Sequence, residues 1–342
     1  MQQDEVRSED SVLFVGIDLG TSSSAISASN DERKWVESYV GWPKDFIAAK
    51  VVGKPVLFGA EALKNRLSLD LYRPLEKGVL KEGTAKDAEA VKELIFHLIK
   101  LVRPQKGQKI YAVVGVPAES FKVNRIAIRN AVSGFTHSIM VVSEPFTVAY
   151  GLNLLNNAIV IDIGAGTVDF CIMHGTMPAE EDQKTILNAG DYIDQQLYNA
   201  LVEKYPDSTF NMNMVRTFKE NHGFVGNSSG PVNVDIPVKG KATAHDITTE
   251  IKRSCESMLP AIMETITEMI AKFDPEYQAK IRNNVILSGG GSQIRGIREY
   301  IEGKLKEYGP SKVTVVSDPV FAGANGALAL AKDMPKGYWN QM

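Results

Sequence analysis

Twice in this chain a continuous apolar run ends in an aspartate, a glycine turn, hydroxyl residues and a further apolar run. The first copy is Val12-Leu13-Phe14-Val15-Gly16-Ile17-Asp18-Leu19-Gly20, followed by Thr21, Ser22, Ser23 and Ser24. The second is Ile159-Val160-Ile161-Asp162-Ile163-Gly164-Ala165-Gly166-Thr167-Val168-Asp169-Phe170. Asp18 and Asp162 stand 144 residues apart, which is the size of a domain rather than of a solenoid repeat. The spacing predicts a duplicated domain whose halves each open on strand, turn, strand. Two such halves facing each other would set similar turns on opposite walls of one cleft.

The remaining pattern agrees with an α/β fold, because apolar runs alternate with segments of helical periodicity. Ile110–Val116, residues 139–142, 285–288 and 313–316 read as buried strands. Residues 85–100 read as an amphipathic helix, with Ala88, Val91, Leu94, Ile95, Leu98 and Ile99 at three- and four-residue steps. Further helices are expected over about 120–133, 146–153, 192–204, 213–221, 246–273 (interrupted near Pro260), 296–308 and 323–332. Residues 33–75 read as an irregular small subdomain, and 223–231 as a Gly/Ser/Asn-rich flexible loop.

With 342 residues, 44% of them hydrophobic, the chain is long enough for two packed cores. A net charge of −3 asks for neither nucleic acid nor an anionic membrane. Two cysteines, Cys171 and Cys255, make no disulfide framework and suit a reducing cytoplasm. Five scattered histidines form no zinc-ligand spacing. No run reaches the about 18 apolar residues of a membrane span. Met1–Asp10 is charged and reads as a solvated tail without an apolar signal core or membrane anchor.

Glycine lets a backbone approach a ligand, and turn N–H groups with hydroxyls suit phosphate oxygens. An aspartate beside phosphates calls for a cation, hence Mg²⁺. Taken singly, each turn reads equally as a Ser/Thr-rich hairpin; the pair at domain spacing favours phosphate. No glycine-rich loop carries Lys-Ser or Lys-Thr at Walker spacing, which excludes P-loop chemistry. Ser288-Gly289-Gly290-Gly291-Ser292 fails the Rossmann pattern and reads either as a tight strand–helix turn or as backbone against a nucleoside. Ala322-Gly323-Ala324-Asn325-Gly326-Ala327 reads as a closely packed small-residue helix start.

In this order the motifs resemble the actin superfamily of actins, Hsp70 chaperones and sugar kinases, over about Val12 to Lys332. Ser143-Glu144-Pro145 and Asn188-Ala189-Gly190-Asp191-Tyr192-Ile193-Asp194 are similar to the bacterial actin MreB and its relatives, and the whole looks most like the filament proteins that organise magnetosomes. The resemblance implies an actin-like (ribonuclease H-like) duplicated fold with ATP or ADP and Mg²⁺ in a cleft between two domains. It divides the chain into a first core of 11–32, 76–156 and 313–342 with a small subdomain 33–75, and a second core of 157–190 and 243–312 with a small subdomain 191–242. Asp18 and Asp162 would hold the metal through water. Gly20, Thr21, Ser22, Ser23, Gly164, Ala165 and Gly166 would cradle phosphates.

Glu144 would polarise the attacking water, with Asp162 and Thr167 completing the catalytic set; Glu144 also reads as a helix-start carboxylate. Gly190 and Asp191 would lie near ribose and phosphates or serve as a helix N-terminus. Lys219 and Glu220 would touch adenosine or form a solvated face, and Gly290, Gly291 and Ser292 would approach the adenosine. The implied function is a cytoplasmic ATPase that polymerises with itself into cytoskeletal filaments alongside magnetosomes, joined by anchoring or regulatory proteins, without nucleic acid or membrane insertion. A monomeric small-molecule kinase and an Hsp70-like ATPase are the alternatives. Regions 33–75 and 223–239 are the candidate polymer contacts.

Overall fold

The computed structural model describes residues 11–81, 84–118, 121–132 and 134–339; the expected tail Met1–Asp10 lies outside them. The chain forms two compact units. One takes the described residues up to Val116, those from 121 to Leu152 and those from Phe321 onwards; the other takes Pro117, Ala118 and Asn153–Val320.

The first unit is built on a five-stranded sheet of β1 (Val12–Leu19), β2 (Ser23–Ala28), β3 (Arg33–Glu37), β4 (Lys109–Val116) and β5 (Ser138–Ser143), in the order β3-β2-β1-β4-β5. The first three strands are antiparallel neighbours, whereas β4 and β5 run parallel to β1. Alternation along β1 explains its two faces. Leu13, Val15, Ile17 and Leu19 enter one core with Val91, Leu94, Ile95 and Leu98 of the helix Ala85–Leu101. That helix starts at a capping box between Thr84 and Asp87, which satisfies its first N–H groups. The other face of β1 carries Gly16, over which the helix Ala322–Asp333 passes so closely that a Cβ would stand 2.2 Å from the Ala324 carbonyl oxygen. A small separate cluster of Leu57, Ala62 and Leu69 serves residues 40–72.

The second unit repeats this topology. Its sheet comprises β6 (Asn156–Ile163), β7 (Val168–His174), β8 (Gln183–Ile186), β9 (Val285–Ser288) and β10 (Val313–Val315), in the order β8-β7-β6-β9-β10. Here too three antiparallel strands are followed by two parallel ones. Ile159, Ile161 and Ile163 of β6 pack with Ile262, Ile266 and Met269 of the helix Leu259–Ala271. The interruption expected near Pro260 separates that helix from Thr248–Glu256, with proline in its first turn, where the missing N–H is harmless. Both cysteines are buried and unbridged.

Three boundaries differ from the sequence reading. Val313–Val315 pairs with β9 in the second unit, so the first core resumes near Phe321 rather than at residue 313. Residues 33–37 form β3 of the first core sheet instead of belonging to an irregular subdomain. Part of 191–242 shares the core of the second unit, through Ile193, Leu197, Leu201 and Val215. The loop read over 223–239 also differs: Asn233–Val238 pairs with Lys241–Asp246 as a hairpin. Among the described residues no helix is long and apolar enough to cross a membrane.

Candidate nucleotide site

Each unit presents one glycine turn at the end of its first strand. In the first, Asp18 is the penultimate residue of β1, in register with Gly115 on β4 and Ala25 on β2. It therefore sits at the carboxyl edge of the parallel strands, where ligands bind in open α/β sheets. The turn Gly20-Thr21-Ser22 leads into Ser23, the first residue of β2, and is anchored from outside. Ser38 donates its hydroxyl to the Gly20 carbonyl at 2.6 Å and its N–H to the Ser22 carbonyl at 2.8 Å. Arg73 Nε donates to the Thr21 carbonyl at 2.7 Å. Thr21 is buried, Ser22 half-buried and Ser23 exposed.

Glu144 opens α1 (Glu144–Gly151) directly after β5, with Pro145 in the first turn. It is buried, and a Cβ on Gly115 would stand 3.5 Å from its Cγ. Gly115, in register with Asp18, thus has Asp18 and Glu144 as neighbours at one strand edge. Glu144 starts a helix, with its side chain against Gly115, the register partner of Asp18. The helix α3 (Ala322–Asp333) begins on the same edge, where a Cβ on Gly323 would come within 2.4 Å of Asp18 Oδ2. Further along, Gly326 meets α1 so closely that a Cβ would lie 1.8 Å from the Thr147 carbonyl oxygen.

In the second unit Asp162 takes the corresponding penultimate place on β6, in register with Ser288 and Asp169. It is half-buried and accepts the Ser288 hydroxyl; desolvation raises its pKa above the ordinary aspartate value, while that bond works against the rise. The following turn closes with the Gly164 N–H on the Thr167 carbonyl at 2.9 Å. Its two outer carbonyls receive the start of α2 (Gly190–Lys204): Gly190 N–H donates to Gly164 at 3.1 Å and Asp191 N–H to Ala165 at 2.7 Å. Gly190 and Asp191 are therefore helix-start residues locked to the glycine turn. Lys219 joins them, donating to the Gly190 carbonyl at 3.0 Å and pairing with Asp194 at 2.8 Å, whereas Glu220 is exposed on its helix.

The triple glycine lies beside Asp162. Gly289 has φ 74°, and a Cβ there would stand 2.6 Å from Asp162 Oδ1; one on Gly291 would collide with the Ile163 side chain at 2.2 Å. Those two glycines serve close approach to β6, while Gly290 faces open space. Ser292 is buried, and its hydroxyl donates within the turn to Gly289 at 2.7 Å. The tight-turn reading thus accounts for Gly289, Gly291 and Ser292, and leaves Gly290 as the open position.

Several residues of this neighbourhood escape the sequence reading. Asp194, 1% exposed, is paired with both Arg216 and Lys219, and Arg216 also reaches Asp191. Asp169, the last carboxylate of the second motif, is 1% exposed and accepts the Ala118 N–H and the Thr185 hydroxyl. Desolvation pushes its pKa up to about 6 against the stabilising effect of nearby donors, with Asp162 adding to the rise. Its position at the end of a quoted motif was the signal available.

The donor set fits Mg²⁺, a hard cation bound through one or two carboxylates together with phosphate oxygens. Among the described residues no group of three His, Cys, Asp or Glu side chains forms a ready-made metal cage.

A twice-built β3-β2-β1-β4-β5 sheet with an aspartate at the end of each first strand is the actin-like fold. Residues 13–337 match the family described as MreB/Mbl protein, and the chain belongs to that family. It is 42% identical over 330 residues to the actin-like protein MamK of Paramagnetospirillum magneticum (strain ATCC 700264 / AMB-1), covering 96% of this chain and 95% of that protein. It is equally 42% identical to MamK of Magnetospirillum gryphiswaldense, over 96% of this chain and 92% of the relative. Among solved structures, a MamK double helical filament superposes with a TM-score of 0.92 at 41% identity, covering 94% of this chain and 99% of the other. A non-polymerising MamK mutant bound to AMPPNP gives a TM-score of 0.74 at 40% identity, over 95% of this chain and all of that one.

Proposed function

We propose that this chain is an ATP-hydrolysing actin-like protein that binds Mg·ATP and assembles with itself into filaments. The observation that carries the reading is the repeated placement of Asp18 and Asp162 at the penultimate position of equivalent strands, each followed by a glycine turn. A MamK relative of the same family binds AMPPNP, which supports the nucleotide. Relatives solved as filaments support self-assembly.

In this reading the turn N–H groups with Thr21, Ser22 and Ser23 bind phosphate oxygens, and Gly290 approaches the adenosine. Mg²⁺, held through water by Asp18 and Asp162, would neutralise phosphate charge. Glu144 accepts a proton from water as that water adds to the γ-phosphorus and the bond to the bridging oxygen breaks, giving ADP and inorganic phosphate. Thr167 helps to place the water. The resemblance to magnetosome-organising filaments extends the proposal to cytoplasmic cables alongside those organelles, with anchoring proteins as further partners.

ATP binding and phosphate release, followed with and without Mg²⁺, test it. Mg²⁺-dependent binding lost in both Asp18→Ala and Asp162→Ala is expected. Binding unaffected by either change would overturn the nucleotide-binding reading.

A further inference from the structure

We infer that Ser38 and Arg73 are positioning residues for the nucleotide phosphates: they take up three successive carbonyls of the first glycine turn and so fix how the N–H groups of Thr21, Ser22 and Ser23 meet the phosphate. The inference rests on the nucleotide-binding reading proposed above. Ser38, wholly buried, follows β3 directly, and Arg73 follows the strand Leu69–Tyr72. Residues 40–72, with their own small apolar cluster, therefore leave the core at one of these residues and rejoin it at the other. Both ends close on the same turn. Ser38 Oγ donates to the Gly20 carbonyl at 2.6 Å, Arg73 Nε to the Thr21 carbonyl at 2.7 Å, and the Ser38 N–H to the Ser22 carbonyl at 2.8 Å.

Across a trans peptide the carbonyl of one residue points opposite to the N–H of the next. A peptide plane cannot flip without giving up the bond on its carbonyl, so the three bonds fix three successive N–H directions. Those of Thr21 and Ser23 point away from Ser38, and that of Ser22 points away from Arg73. Successive backbone donors held in this way form an anion-binding concavity, and fixing them beforehand spares the turn the cost of ordering when phosphate arrives. Proton order extends the brace by one residue. Ser24 Oγ lies 2.8 Å from Ser38 Oγ, whose own proton is committed to Gly20, so Ser24 is the donor of that pair. Ser24, 1% exposed, thus supports the turn from behind.

Titration calorimetry with Mg·ATP and with adenosine, which lacks phosphate, tests this. Ser38→Ala and Arg73→Ala should each weaken Mg·ATP binding about three- to tenfold, the worth of one hydrogen bond. Adenosine binding and the unfolding midpoint should stay close to wild type. Arg73→Gln places a neutral N–H donor the same number of bonds along the side chain as Nε and should recover most of the affinity lost in Arg73→Ala. The double variant should lose less than the product of the single losses, because both bonds brace one turn. If Ser38→Ala does not fold, Ser24→Ala withdraws the donor behind Ser38 and should weaken Mg·ATP binding while sparing adenosine. An equal loss for adenosine, an Arg73→Gln variant no better than Arg73→Ala, or losses that multiply would overturn the inference while nucleotide binding stands. A wild-type chain that binds no Mg·ATP would overturn the functional reading and this inference together.

Discussion

Glu144 and Gly323 show how closely single positions are specified at the edge of the first sheet. Glu144→Ala removes the buried carboxylate packed at Gly115 without touching either glycine turn. Hydrolysis should fall by about 10²–10⁴, the usual weight of a positioned base, with ATP affinity nearly unchanged. Loss of affinity in step with rate would contradict its assigned role. Gly323→Val is the opposite experiment, since any Cβ at 2.4 Å from Asp18 Oδ2 must displace that carboxylate. ATP affinity, measured by titration calorimetry, should drop about tenfold or more, in line with the cost of displacing a positioning group. Asp18, Asp162, the glycines and Glu144 were legible in the sequence because each belongs to a short motif. Ser38 and Arg73 were not, because their partners Gly20 and Thr21 are remote along the chain and no local pattern announces them.

At the scale of elements, α3 is held on α1 and β1 by backbone approach rather than by large side chains. Gly326→Ala would put a methyl 1.8 Å from the Thr147 carbonyl oxygen and prise α3 from α1. Urea unfolding should show a loss of about 1–3 kcal/mol or more, the cost of overpacking. The helix Ala85–Leu101 carries a pH-sensitive contact, the stack of His97 on Phe58 with centroids 4.0 Å apart. Partial burial, and then Lys100, lower the His97 pKa below its ordinary value of 6.5. The unfolded chain therefore binds the proton more readily, so this contribution is present above pH 6.5 and is lost as pH falls through the lower folded value. The unfolding midpoint should decline on acidification across that window, and less so in His97→Phe. The long periodic helix and the buried strands were legible from spacing alone. β3 was not, because Arg33-Lys34-Trp35-Val36-Glu37 is an edge strand with no buried side chain, and edge strands need little apolar patterning. The hairpin at 233–246 was hidden for a related reason: its apolar residues alternate with polar ones beside a Gly/Ser-rich stretch that reads as loop.

For the whole molecule, the duplicated topology was readable from two motifs and their spacing, whereas the polymer contacts were not, because no short motif encodes an extended surface. The region 33–75 does expose large apolar side chains, including Phe46 at 82% and Leu67 at 85%. Such exposure favours burial against another copy, and a head-to-tail contact of this kind generates filaments. Leu67→Asp should therefore raise the protein concentration needed for pelleting while ATP binding persists. Equal pelleting of wild type and variant would remove this surface from the contact. The most direct test of the central claim is high-speed sedimentation of the purified chain with Mg²⁺ and ATP, with ADP, or without nucleotide. Pelleting that requires ATP, and that is lost in Asp18→Ala and Asp162→Ala alike, is the expected result. Protein that stays soluble with ATP, or pellets equally without it, would contradict the account of ATP controlling self-assembly.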